Sequence, residues 1–410
     1  VSRPSTTRAP GSRATATRTA GTGARRSGER KRPTRPSSAP GHDRSTAPFT
    51  PNVTVLFVAT VVVLNVIGVV MVLSASSVVS MSDYGSVWHV FQRQLLWTAL
   101  GAVGFFFAFR LDVRRWQRWA VPITVAALAL CLVVLVPHVG IAVSGSRRWL
   151  GISWLRFQPS ELAKLAVLVF GADVLTRRHD RIWDLGAVLK PILMVTVTLA
   201  ALVLIEPDLD STVVIALICA AVLVAGGIRL KHLMVLFGTG IGLAAVLAIA
   251  APYRRARVLT FLHPTADASN TGYQIVQSLI ALGSGGVTGV GLGAGVAKWH
   301  FLPNAHTDFV FSIIGEELGL IGCMVVLGLF VVFAFLGLVI ALRSPDRFGL
   351  LLGVGIVVWV TAQAAINIAG VVGLLPVSGI PLPFVSFGGS SLVVTMVASG
   401  MLANIGRART

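Results

Sequence analysis

The sequence predicts an all-α polytopic membrane protein with about ten spanning helices. Three observations carry this. The chain is 55% hydrophobic and only 12% charged, with a mean hydropathy of +0.82, too much apolar surface to hide inside a water-soluble globule. The apolar residues fall in continuous runs of bilayer length, and in lipid such runs must satisfy their backbone internally as helices. The runs do not alternate, which excludes a β-barrel.

Taken in order, the first fifty residues hold ten Arg and one Lys against Glu29 and Asp43, half of the net charge of +18. Rich in Ser, Thr, Pro, Gly and Ala with a single aromatic residue, residues 1–51 cannot bury a core and are expected to be a disordered basic tail. Nucleic-acid binding is one reading of such an arm. The expectation adopted is a cytoplasmic tail brushing anionic lipid, with no nucleic-acid partner, at about 1 kcal/mol per basic residue near the surface. A cleavable signal is not expected, because the apolar run starts too deep and is too long.

Ten spans follow, at 53–74, 92–110, 119–137, 159–176, 189–205, 211–228, 232–251, 311–342, 349–374 and 389–406, within a membrane domain of residues 52–406. The eighth is over-long, so its first turns are expected to stand outside the hydrocarbon. With the N-terminus inside, inner loops hold fourteen Lys and Arg and outer loops seven. That bias places both termini in the cytoplasm, including the short C-terminus 407–410, and the largest loop, about 252–308, outside. Cys131, Cys219 and Cys323 lie inside apolar runs without a CxxC pair, so no metal or disulfide framework is expected from them.

Polar residues in this setting are informative. In HFLPNAHTDFVFSIIGEELG, 300–319, Asp308 stands at the outer mouth of the eighth span, where helix capping explains it cheaply. Glu316 and Glu317 lie deeper and need a polar cavity or basic partner. In FQPSELAK, 157–164, Pro159 and Ser160 suit a helix start, and Glu161 and Lys164 share a face. They form either an internal ion pair or a polar face aimed at a site. Arg93, at the outer end of the second span, either snorkels or binds phosphate. Outer-loop Arg147, Arg148 and Lys298 oppose the topological rule, which suits an anionic ligand. EPDLDS, 206–211, crowds three acids into one turn; Asp208 and Asp210 are candidate ligands of a divalent cation. PVSGIPLPFVSFGGSS, 376–391, is either a re-entrant element exposing N–H groups to phosphate or a rigid turn. The glycine-rich GSGGVTGVGLGAG, 283–295, lacks the lysine-containing P-loop pattern.

Read together, GSRRWLGI with FQPSELAK, then EPDLDS, GYQIVQSLIALGSGG, GVGLGAGVAKWHFLPNAHTDFVFSIIGEELG and PLPFVSFGGSS resemble the SEDS family of bacterial peptidoglycan glycosyltransferases over roughly residues 52–406. The resemblance leans to the cell-division branch over the elongation branch, and long charged tails resemble actinobacterial members. EPDLDS departs from the usual PDLG or PDFG at Asp210. The resemblance implies a ten-helix fold with a cavity opening at the outer leaflet of the cytoplasmic membrane, at the division septum. It implies lipid II as substrate, a divalent cation (Mg or Mn) and no organic cofactor. It also implies a class B penicillin-binding protein and other division proteins as partners. The family aspartate falls on Asp308, read as the base that takes the acceptor hydroxyl proton, with Glu161 and Lys164 setting its pKa and orientation. Arg93, Arg147, Arg148, Lys298, His306, Ser390 and Ser391 are the expected substrate contacts. A lipid II flippase is the rival reading.

Overall fold

The computed structural model describes residues 52–143, 146–152, 155–181, 184–229 and 272–407, with scattered positions between 231 and 261. The basic tail, most of the seventh expected span (232–251), the first part of the large loop and residues 408–410 lie outside the described residues.

Helices dominate. In chain order they are α1 (Asn52–Tyr84), α2 (Trp88–Arg110), α3 (Val113–Arg118), α4 (Ala120–Leu135), α5 (Pro159–Arg177), α6 (Leu185–Ile205), α7 (Leu209–Ala225), α8 (Tyr273–Ser284), α9 (Val310–Leu342), α10 (Arg347–Val371) and α11 (Ser390–Arg407). Among the described residues, Val53–Tyr84, Gly186–Ile205, Val310–Leu342 and Arg347–Val371 are long and apolar enough to cross a membrane. Helix α1 runs ten residues beyond its expected end at 74. The chain is not purely helical. Between α4 and α5, Ile141–Val143 (β1), Ser146–Ile152 (β2) and Leu155–Phe157 (β3) form an antiparallel sheet in the order β1-β2-β3. These strands are three to seven residues long, too short to stand out beside twenty-residue apolar runs, and an all-α reading missed them. The expected outer loop likewise contains helix α8.

Local chemistry sets the helix ends. Pro159 occupies the first turn of α5, where its missing N–H leaves no unpaired donor. Asp184 caps α6 through Ala187 N–H, and Asp208 caps α7 through Ser211 N–H. Helix α5 is largely enclosed: fifteen of its nineteen residues are buried, Glu161, Lys164 and Asp173 among them, while Arg177 in its last turn is exposed.

Helix α9 breaks at Gly319 (φ 66, ψ −163). The 23 residues after the break span about 35 Å at 1.5 Å each, enough for the hydrocarbon core, so the segment carrying Glu316 and Glu317 forms a separate N-terminal piece. The glycine-rich loop fills the break. Val290 and Gly291 N–H donate to the carbonyls of Glu316 and Glu317, and Leu320 and Ile321 N–H donate to those of Gly286 and Val287. A Cβ on Gly319 would lie 2.3 Å from Gly289 N, and one on Gly289 (φ +82) would lie 2.2 Å from the Glu317 carbonyl oxygen. Only glycine permits that approach.

Candidate active site

The polar motifs converge at the start of α5. Lys164 is fully buried, with its ammonium 2.9 and 2.8 Å from the two carboxylate oxygens of Glu161 and donating to Gln363 Oε1 at 3.0 Å. It lies 5.7 Å from the centre of the Trp359 ring, whose indole N–H also donates to Gln363 Oε1. The sequence left open an ion pair or a polar face; the structure has the ion pair, and it is knitted to α10.

One turn before it, Gln158 and Ser160 fasten α5 to EPDLDS. Asp208 accepts from Gln158 Nε2 at 2.8 Å, from the Ser160 hydroxyl at 3.4 Å and from Ser211 N–H at 3.1 Å. Gln158 N–H donates to Ser390 Oγ at 3.1 Å, tying α5 to α11. Asp210 accepts from Gly379 N–H at 2.8 Å. Both aspartates therefore fasten backbone segments together. Among the described residues there is no group of three or more His, Cys, Asp or Glu side chains that could hold a metal ion. Arg148 donates to the carbonyls of Glu206 and Pro207 at 3.2 and 2.7 Å, clamping the sheet to this turn. Arg147 is exposed on β2.

Glu206 is 1% exposed, and neither carboxylate oxygen has a hydrogen-bond partner among the described residues. Burial pushes its carboxyl up to about 8, the Asp208 charge adds to the rise and Arg148 opposes it. The folded state thus binds the proton more tightly than the unfolded chain. Its contribution is whole below 4.5 and is lost as pH rises to about 8. We expect wild-type protein to lose thermal stability relative to Glu206→Gln across that window in detergent melts. A difference between the two that is flat with pH would remove Glu206 as its source.

On the N-terminal piece of α9, Glu316 accepts from Val296 and Ala297 N–H at 2.7 and 3.1 Å. Glu317 pairs with Lys298 at 2.8 Å and accepts from the Ser74 hydroxyl at 2.6 Å. Lys298 is 4% exposed and donates also to the Gly293 carbonyl and Ser74 Oγ. The two glutamates found the partners their depth demanded, and Lys298 is anchored inside the loop.

Asp308 lies in the turn before α9. Its N–H donates to the Asn304 carbonyl, and its own carbonyl accepts from Asn367 Nδ2 at 2.9 Å. The same amide donates to the Ile380 carbonyl at 2.9 Å, while Gln363 Nε2 donates to the Pro381 carbonyl at 3.0 Å. Asp308 is thus joined to the Lys164 cluster through α10. Two residues earlier, the His306 carbonyl accepts from Phe387 N–H, and the His306 and Phe387 rings lie 5.8 Å apart. The Arg93 guanidinium stands 5.8 Å from the centre of that Phe387 ring, so Phe387 neighbours both Arg93 and His306, two residues before Asp308. Burial lowers the His306 imidazole to about 4, with Asp83 opposing the shift, which leaves the ring neutral at neutral pH. Ser390 and Ser391 are buried at the start of α11.

Sequence reasoning missed Gln158, Gln363, Asn367 and Ser74. For Gln363 and Asn367 a signal was present: two amides at i, i+4 inside an apolar span share a face and need partners there.

The fold and this cluster define a multi-pass membrane protein whose buried ionisable groups gather where loops meet helix ends. The chain belongs to the FtsW/RodA/SpoVE family of cell cycle proteins, whose signature matches residues 54–410. A relative from Mycobacterium tuberculosis named "Probable peptidoglycan glycosyltransferase FtsW" is 41% identical over 352 residues, covering 86% of this chain and 67% of the relative. One of the same name from Geobacter metallireducens is 39% identical over 344 residues, covering 84% and 92%. A solved chain from a peptidoglycan synthase complex that coordinates polymerization and crosslinking superposes with a TM-score of 0.71 at 30% identity, covering 86% of this chain and 97% of that one.

Proposed function

We propose that the protein is a peptidoglycan glycosyltransferase of the cell-division FtsW type, polymerising lipid II at the outer face of the cytoplasmic membrane. The observation that carries the reading is that two amides one turn apart on α10 hold the two motifs: Asn367 bonds the Asp308 main-chain carbonyl, and Gln363 bonds Lys164 of the buried Glu161–Lys164 pair. The Asp308 carboxylate takes the proton of the acceptor sugar hydroxyl. The hydroxyl oxygen attacks the anomeric carbon of the donor lipid II with inversion. The bond from that carbon to the diphosphate oxygen breaks, and undecaprenyl diphosphate leaves with the electron pair. Arg93, with its planar fork of donors, meets the departing diphosphate, joined by Arg147 from the sheet. Neutral His306 offers a donor beside Asp308. Lys298, Arg148, Ser390 and Ser391 act on substrate by holding the surrounding loops.

Ten spans, both termini in the cytoplasm, a septal location and a class B penicillin-binding protein that cross-links the product complete the reading. Its support is the family membership, the apolar helices and the likeness to a synthase complex. The test is purified protein, with and without its transpeptidase, sealed in liposomes with labelled lipid II. Glycan strands without transfer of label across the bilayer are expected. Transfer without strands would establish the flippase instead.

A further inference from the structure

We propose that Gln363 and Asn367, one turn apart on α10, are positioning residues that hold the Lys164 ammonium, the Asp308 main chain and residues 380–381 in one register for glycosyl transfer. The inference rests on the reading of Asp308 and Lys164 as groups of the reacting site.

Both side chains are buried, at 0% and 1% exposure. Both ends of Gln363 are engaged: Oε1 accepts from Lys164 Nζ and Trp359 Nε1, and Nε2 donates to the Pro381 carbonyl. Asn367 uses one nitrogen for two carbonyls, those of Asp308 and Ile380. Consecutive carbonyls of the 380–381 segment are therefore captured by amides one turn apart, which fixes that segment along α10 at a single setting. Packing does not demand amides here. Leucine or methionine fills a buried helix face without polar atoms to satisfy, whereas a buried amide needs partners. What the amides add is directional: each bond fails if α5, the turn before α9 or the 380–381 segment moves.

Neither amide bonds the Asp308 carboxylate in this arrangement. Asn367 grips the main-chain carbonyl of Asp308, and so fixes the atoms from which the carboxylate extends. Gln363 orients the ammonium of the Glu161–Lys164 pair. A displacement near 1 Å in such a constellation costs about 10²-fold in rate, and it acts on the reacting geometry more than on capture of a long lipid substrate.

The test uses the full chain with lipid II. For Gln363→Met and Asn367→Leu we expect kcat to fall by about 10²-fold with KM little changed. Gln363→Glu keeps an acceptor for Lys164 but loses the donor to the Pro381 carbonyl, so it is expected to recover part of that rate. Thermal melts accompany each variant; should an apolar variant fail to fold, the near-isosteric Gln363→Glu and Asn367→Asp carry the comparison. Asn367→Asp removes the donor to both carbonyls, so its kcat is expected to fall further than that of Gln363→Glu, which loses one donor and keeps the acceptor for Lys164. Folded apolar variants with wild-type kcat, a change confined to KM, equal rates for Gln363→Glu and Gln363→Met, or wild-type kcat for Asn367→Asp would each overturn the proposal. Asp308→Asn separates the two readings. If that protein is active, the base assignment fails; if it is inactive while both amide variants polymerise normally, only the positioning role fails.

Discussion

Asp308→Asn is expected to reduce strand synthesis from lipid II by about 10²–10⁴-fold, the range a positioned acid or base contributes. The substitution keeps the shape of the side chain and leaves the main chain untouched. The bonds from Asn304 and Asn367 to the Asp308 backbone therefore persist, and the loss should appear without a drop in thermal midpoint or in transpeptidase binding. A polymerisation assay paired with a melt reads both quantities. Full strand synthesis by the folded variant would take the carboxylate out of the chemistry.

The second large effect concerns the buried pair. Lys164 and Glu161 are 0% and 1% exposed and lie 2.8 Å apart. Removing one partner strands a charge in protein, and such changes cost about 3–5 kcal/mol. Glu161→Leu is therefore expected to destabilise strongly. Replacing both residues by leucine removes the stranded charge, and buried pairs exchanged for apolar side chains are often neutral in stability. The double variant should thus melt close to wild type while its polymerisation stays lost. Normal strand synthesis by that double variant would reduce the pair to an insertion device, the blander of the two readings its spacing allowed.

Several features of the site were legible before any fold. The i, i+3 spacing of Glu161 and Lys164 on a helix begun by Pro159 made their contact a matter of helix geometry. The depth of Glu316 and Glu317 required partners, and these proved to be Val296 and Ala297 N–H, Ser74 and Lys298. The acids of EPDLDS read differently in three dimensions. Like charges crowded in one turn suggest a cation at Asp208 and Asp210; in the structure Gln158, Ser160, Ser211 and Gly379 donate to them. Three of those donors come from chain segments separated by tens to hundreds of residues, so no local pattern could reveal them.

The sequence alone determined that this chain lives in a membrane and which charged residues lie within its apolar runs. Those are consequences of solvent: hydrocarbon selects helices of fixed length and penalises each ionisable group wherever it sits. The tertiary structure decided how the motifs meet. It enclosed Glu161 and Lys164 on α5, laid the glycine loop into the break of α9, and brought Asp308, Lys164 and residues 380–381 onto one face of α10. Those pairings depend on directional hydrogen bonds between distant segments, whose partners exist only once the helices have packed.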